Sequence, residues 1–220
     1  MRTIEKSVVH FLQMIQVFRT LPKDLVVAVS GGVDSMFALH WLKGKGHNVK
    51  IAHYVHQSEN ANVELEFVKS ISEQYEFELI VDYQKEERKS QSKEAYWRQG
   101  RYNFFKSFSE TVVVGHTLND AIEWYLYSVM NGKISFMEYS HSNIVRPFLL
   151  QSKESLIEWM INNQFNWIED LTNIQEDFAK RNKVRHKLIP VALEINPGLF
   201  NMVKKAIVEK ERRVKAVGNS

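Results

Sequence analysis

The sequence predicts an α/β fold, a Rossmann-like parallel sheet of about five strands with helices on both faces, plus a small helical carboxyl-terminal extension. Three observations predict it. Short β-rich runs alternate with stretches of helical spacing up to Pro147. Several runs, such as Val112-Val113-Val114, are continuously β-branched, as suits strands covered on both faces. After Pro147 the alternation gives way to helical spacing and a basic segment. The expected division is an α/β domain over residues 1–150 and a helical basic extension packed on it over residues 151–220.

Taken in order, Ile4, Val8, Phe11, Ile15 and Phe18 recur at helical spacing and open the chain with an amphipathic helix. Leu25 to Val29 is the first strand; it meets Ser30-Gly31-Gly32 and then a helical stretch from Ser35 to Lys43, and Val49 to Val55 completes a βαβ unit. Phe67, Ile71 and Tyr75 mark the next helix, Phe77 to Tyr83 a strand, Glu94 to Phe108 a helix, Thr111 to Val114 a strand, and Leu118 to Met130 a helix. Ile144 to Arg146 supplies a fifth strand, and Ser152 caps a helix containing Leu156, Trp159, Met160 and Ile161. Right-handed crossovers place the active site at the carboxyl ends of the strands.

Composition narrows the chemistry. The chain of 220 residues has no cysteine, which excludes disulfides, thiolate metal sites and a cysteine nucleophile within it. No apolar run is long enough to span a bilayer and the first twenty residues lack a signal-peptide core, so a cytoplasmic protein without a membrane partner is expected. Net charge is only +3, but between Ala179 and Lys215 eleven Lys/Arg stand against three Asp/Glu. Such asymmetry suggests a polyanion, nucleic acid first, although a solvated helix face has the same composition.

The sharpest local signal is Ser30-Gly31-Gly32-Val33-Asp34-Ser35, between a strand and a helix. Two glycines let the backbone approach an oxyanion, successive amides form a concave nest, and the helix amino terminus adds favourable partial charge. Ser30 and Ser35 offer hydroxyl donors to phosphate, while Asp34 makes sense as a Mg²⁺ partner or as a lock on the loop. An ordinary capped turn is the bland alternative. This is not a Walker A loop, because no Gly-Lys-Ser/Thr follows. Farther on, Asp120 and Glu123 stand three apart on one helix turn, so both carboxylates can meet one Mg²⁺ or an amine; helix-start stabilisation explains them too. Arg98 and Arg101 share a helix face and can grip phosphate, or be merely solvated.

At the hexapeptide the sequence resembles the PP-loop, or N-type ATP pyrophosphatase, family, whose members split ATP into AMP and pyrophosphate to adenylate a carbonyl-type oxygen. Further stretches are similar to the lysidine-synthetase branch. These are His53-Tyr54-Val55-His56, Glu94-Ala95-Tyr96-Trp97-Arg98-Gln99-Gly100-Arg101-Tyr102, Gly115-His116-Thr117-Leu118-Asn119-Asp120-Ala121-Ile122-Glu123 and Arg146-Pro147-Phe148-Leu149. Asp170-Leu171-Thr172-Asn173, Arg181-Asn182-Lys183-Val184-Arg185 running on to Pro190, and Asn196-Pro197 follow in the family's order. Asn119, Trp124 and Asn131 depart from the pattern, and the family's usual carboxyl-terminal tRNA-binding domains have no counterpart in these 220 residues, as expected of a short form.

The resemblance implies ATP and Mg²⁺ as cofactors, tRNA (its anticodon region) and free lysine as partners, and a ligase that adenylates the wobble cytidine of a tRNA(Ile) and then joins lysine to it. It places nucleotide on Ser30, Gly31, Gly32, Val33, Asp34, Ser35, His53, His116 and Arg101, and metal on Asp34, Asp120 and Glu123. Asp120 would act as the base, with Arg98, Arg181 and Arg185 stabilising charge. Another PP-loop tRNA-adenylating enzyme, such as a thiolase, and a non-catalytic nucleotide- or tRNA-binding protein stay open, as does a homodimer.

Overall fold

Leu25, Val27 and Val29 pack to one side of the first strand and Val26 and Ala28 to the other, all buried, which is the condition of a central strand in a doubly covered sheet. That strand, β1 (Asp24–Ala28), pairs in parallel with β2 (Asn48–Val55) on one side and β4 (Thr111–Val113) on the other. β3 (Leu79–Tyr83) adds to β2 and β6 (Ile144–Val145) to β4, again in parallel. A two-residue strand, β5 (Ser140–His141), lies antiparallel to β6 and completes the six-strand order β3-β2-β1-β4-β6-β5. The sequence pointed to about five because Ser140-His141 carries no apolar run; its hairpin partner defines it as a strand.

The computed structural model describes residues 15, 18–57, 59–85, 93–169 and 180–218. The expected amino-terminal helix therefore lies almost wholly outside the described residues, as does Asp170-Leu171-Thr172-Asn173. The remaining helices are α1 (Val33–Gly44), α2 (Ala61–Tyr75), α3 (Lys93–Lys106), α4 (Leu118–Met130), α5 (Lys153–Asn162), α6 (Lys180–Lys183), α7 (Ile189–Ile195) and α8 (Leu199–Gly218), with a π-helical turn at Val184–Leu188. No helix among the described residues is long and apolar enough to cross a membrane.

Three apolar layers fix these elements. On one face of the sheet, Phe37 of α1 receives Phe148 and Trp159 edge-on, each with ring centroids 5.0 Å away, so α5 shares the core of β1. On the other face, Phe104 and Phe105 of α3 cover Val26, Ala52 and Val112. A third cluster joins Leu118 and Ile122 of α4 to Leu199, Val203 and Ile207 of α8. Ser152 starts α5 as the sequence predicts, its side chain accepting from the Ser155 amide at 3.3 Å.

The strand order reverses at β1, whose two neighbours are reached in opposite directions. The crevice beyond the carboxyl ends of β1 and β4 is thus the switch point where ligands bind in open parallel sheets. There the two loops touch. A Cβ on Gly115 would stand 2.5 Å from the Asp34 carbonyl oxygen and 2.8 Å from its carbon, backbone atoms that cannot swing aside. Gly115→Ala is expected to cost about 1–3 kcal/mol of stability, as overpacking does. Chemical denaturation checks it, and an unchanged midpoint would mean that the loops approach less closely than described.

Candidate active site

The loop after β1 is built to face an anion. Gly31 has φ +94°, and a Cβ there would press on Ile168 and Phe67 at 3.3 Å, so both conformation and space require glycine. The Ser35 hydroxyl donates to the Gly32 carbonyl at 2.9 Å and accepts the Ser30 amide at 3.1 Å, tying the loop to the first turn of α1. Ser35 is therefore a brace rather than the free phosphate donor expected. Gly32 is the N-cap of α1 and supplies no side-chain cap, which leaves the helix amino terminus to an outside acceptor. Across the loop, the Ile168 amide donates to the Gly31 carbonyl at 2.9 Å and brings 165–169 over it.

Ser30, Gly32, Val33, Asp34 and Ser35 line a cavity of about 600 Å³ together with Tyr54, His56, Trp97, Arg101, Tyr102, Gly115, His116, Asp120, Lys153, Trp167 and Ile168. That volume suits a nucleotide. Its walls carry four carboxylates, Asp34, Glu64, Asp120 and Glu169, of which Asp34 and Asp120 interact with each other. Burial, with Asp120 nearby, pushes the Asp34 carboxyl up to about 6 despite Lys153, whose Nζ lies 3.4 Å from Oδ2. Asp34 Oδ1 is buried with no hydrogen-bond partner among the described residues. Asp120 goes the other way. Burial opposes its charge, but the Thr117 amide and hydroxyl and the Arg185 guanidinium hold it below the usual carboxylate range. Its Oδ2 accepts from the Thr117 amide at 2.8 Å and hydroxyl at 3.0 Å, closing the capping box of α4, so the helix-start reading of Asp120 is true as well.

His116 accepts at Nδ1 from Arg146 Nε at 3.0 Å, which makes Nε2 the protonated nitrogen of a neutral ring. Burial, reinforced by Arg146, Arg101 and Arg98, holds it neutral even beside Asp120. Arg146 also donates to the Tyr102 hydroxyl at 3.1 Å and the Glu138 carbonyl at 2.9 Å.

Several expected residues lie elsewhere. His53 does not line the cavity: its Nδ1 donates to the Val29 carbonyl at 2.7 Å under the end of β1, and the pleat puts Tyr54 and His56 on the cavity side instead. Gly31 shapes the loop from beneath. Glu123 is not an open metal ligand, because Arg185 holds its Oε2 at 2.7 Å and Arg181 lies 3.8 Å from Oε1. Arg185 reaches within 3.8 Å of Asp120 Oδ1 from the π-helical turn, a distortion common at functional sites. Arg181 and Arg185 thus border the two helix carboxylates without lining the cavity, and Arg98 lines a different one. Held ionised, the Asp120 carboxylate is well suited to hold a cation.

Sequence reasoning missed Lys153, Tyr54, Trp97 and Trp167. None carries a local signal of its own beyond standing inside or beside motifs already noted. Asn119 is accounted for: its Oδ1 accepts the Lys153 amide at 2.9 Å and supports the start of α5, so no cavity carboxylate is lost by its not being Asp.

For a divalent cation the fit is good in one respect. An orphaned, buried carboxylate oxygen on Asp34 beside ionised Asp120 is the donor set with which Mg²⁺ is shared with phosphate oxygens. Among the described residues no three His, Asp or Glu side chains gather around one point, so the remaining ligands would have to come from substrate and water.

Residues 2–192 match the PP-loop domain family. The chain is 30% identical over 214 residues to the tRNA(Ile)-lysidine synthase of Bacteroides thetaiotaomicron, covering 90% of this chain and 50% of that protein. It is 31% identical over 207 residues to the enzyme of the same name from Exiguobacterium sibiricum, covering 88% and 50%. The chain thus spans about half the length of the curated relatives it matches. Among solved structures, the tRNA thiolase NcsA of Methanococcus maripaludis superposes with TM-score 0.69 over 96% of this chain and 80% of that one, at 11% identity, a likeness of fold alone.

The raised proton affinity of Asp34 fixes the sign of a pH effect. A carboxyl whose folded pKa lies above its unfolded value contributes stability that is fully present below about 3.8 and is lost as pH rises through about 6. Asp34→Asn should therefore gain roughly 2–3 kcal/mol on the wild type between pH 4 and pH 8. Urea unfolding of both proteins across that range checks it; parallel pH profiles would rule out the buried charge.

Proposed function

Since the chain belongs to the PP-loop domain family, we propose that it adenylates the wobble cytidine of a tRNA(Ile) with ATP and joins the ε-amine of lysine to the activated carbon, giving lysidine, AMP and pyrophosphate. The observation that carries this reading is the convergence of separate motif stretches, at 30–35, 101–102 and 115–120, on one nucleotide-sized cavity. The names of the relatives supply the RNA and the amino acid.

In this reading the Ser30–Ser35 loop and the amino terminus of α1 take the pyrophosphate part of ATP, and Tyr54, His56 and Trp97 wall the base side. Mg²⁺, held by Asp34 and Asp120, would neutralise the leaving pyrophosphate. The C2 carbonyl oxygen of the cytosine is a poor leaving group until it is esterified to AMP, and Arg101 with the Nε2–H of His116 would stabilise the phosphate charge as it develops. Lysine, as the free amine, then attacks the carbon bearing that oxygen; the new C–N bond forms as the C–O bond breaks, AMP departs with the electron pair, and the proton leaving the nitrogen passes by way of the Asp120 carboxylate to solvent. Asp120 holds the amine by its charge rather than keeping the proton. An unpaired anticodon base can be splayed into such a cavity. The cysteine-free sequence disfavours a thiolase carrying its own sulfur, and the role of Asn119 as a helix support removes one reason to regard the site as degenerate.

The test is AMP release with ATP, lysine and unmodified tRNA(Ile), omitting each in turn. Release requiring both lysine and RNA is expected. Release with RNA and sulfide donors but indifferent to lysine would favour a thiolase, and no release would favour a binding protein. Asp120→Asn should slow lysine incorporation by about 100-fold, the scale of a lost charge at a reacting centre. A mutant incorporating lysine at the wild-type rate would remove Asp120 from the mechanism.

A further inference from the structure

Tyr102 is shared between two cavities. Beyond it lies a second space of about 590 Å³, bordered by Arg98, Lys106, Trp124, Phe136, Glu138 and Arg146. The partition is one side chain thick, the Tyr102 hydroxyl accepting from Arg146 Nη2 at 3.1 Å. A single turn of α3 therefore sends Arg101 into the first cavity and Arg98 into the second.

Arg98 is the telling group. Its guanidinium lies over the Tyr102 ring at 5.1 Å and the Trp124 ring at 5.2 Å, and Arg181 continues the alternation over Trp124 at 5.4 Å and Tyr127 at 5.6 Å. Half-buried in this stack, Arg98 donates no hydrogen bond to any described residue. With two aromatic rings against it and no hydrogen bond to a described residue, the guanidinium keeps its N–H groups as a fixed fork that fits an oxyanion bidentately. The other charges do not compete. Glu138 is engaged by Lys210 at 3.2 Å and His141 at 3.2 Å, Arg146 is committed to His116, Tyr102 and the Glu138 carbonyl, and Lys106 adds a second cation.

We propose that the second cavity binds a backbone phosphate of the RNA strand, with Arg98 as its fork, while the adjoining nucleotide enters the first cavity across Tyr102 to react. This rests on the RNA-modifying reading above and adds where the strand lies. RNA is favoured over a free amino acid because the cavity's one acid, Glu138, is already paired and leaves an α-ammonium without a partner, whereas Arg98 and Lys106 suit a phosphate. One helix turn then separates the two polyanions, with ATP on the Arg101 side and RNA on the Arg98 side.

The experiment measures binding of an unmodified tRNA(Ile) transcript at several salt concentrations, and ATP binding separately, for the wild type, Arg98→Gln, Arg98→Lys and Arg101→Gln, with circular dichroism on each. Arg98→Gln should weaken transcript binding about tenfold, the scale of a lost charged hydrogen-bonded pair, and lower the log–log salt slope by roughly 0.7 to 0.9, with ATP affinity unchanged. Arg98→Lys should keep the slope and lose part of the affinity, which also covers the case in which the glutamine variant does not fold. Arg101→Gln should weaken ATP and spare the slope. Unchanged transcript affinity and slope in folded Arg98→Gln, with the wild type binding, overturns the inference and leaves the function standing. Weakened ATP binding in Arg98→Gln, or a higher lysine requirement with RNA binding intact, overturns it in favour of a nucleotide or amino-acid site. A wild-type chain that binds no transcript brings down the RNA reading and this inference together.

Discussion

The site depends on one electrostatic constraint: two carboxylates, Asp34 and Asp120, are brought together beyond the ends of adjacent parallel strands, largely withdrawn from bulk water. β1 and β4 pair in register from Leu25↔Thr111 to Val27↔Val113, and Gly115 lets their loops touch. Like charges so placed repel, and the protein resolves the conflict unequally. Asp120 is kept ionised by its cap hydrogen bonds and Arg185, whereas burial, with the Asp120 charge adding to it, raises the proton affinity of Asp34. An unliganded site of this kind is relieved by a proton or by a cation, which is what a site for phosphate chemistry needs of its carboxylates.

Much of the carboxyl-terminal part serves to hold this arrangement rather than to decorate it. Glu211 of α8 is buried and accepts the Tyr139 amide at 3.2 Å, and Lys210 pairs with Glu138 at 3.2 Å. The same stretch is fixed by Arg146, which donates to the Glu138 carbonyl and, through Nε, sets the tautomer of His116. From α8 to the cavity wall there is thus a continuous run of hydrogen bonds. Part of the basic segment is consequently internal in function: Lys210 and Arg185 are engaged by acids, whereas Lys204, Lys205, Arg212, Arg213 and Lys215 remain exposed.

What could be read from the sequence was what is local. The Ser30–Ser35 loop, the start of α4 and the Ser152 cap are each decided within a few residues, and the structure places all three where their chemistry requires. Properties set by distant partners were not legible. Glu123 reads as a metal ligand until Arg185, 62 residues away, lands on it. His53 and His56 are distinguished by the phase of the pleat, which depends on the pairing of β2 with β1 and β3. Arg98 and Arg101 share a helix face in the abstract, but the Tyr102–Arg146 wall divides that face. Lys153 and Trp167 reach the cavity through the packing of α5 and the return of 165–169 over the phosphate loop, neither of which has a local signature.

Asp34 is a charge trap that a proton or a cation relieves. Carboxyl ¹³C NMR of aspartate-labelled protein, assigned with Asp34→Asn and titrated with and without Mg²⁺, tests it most directly. An Asp34 midpoint near 6 that falls when Mg²⁺ is added is expected. A midpoint close to the ordinary 3.8, indifferent to Mg²⁺, would contradict it.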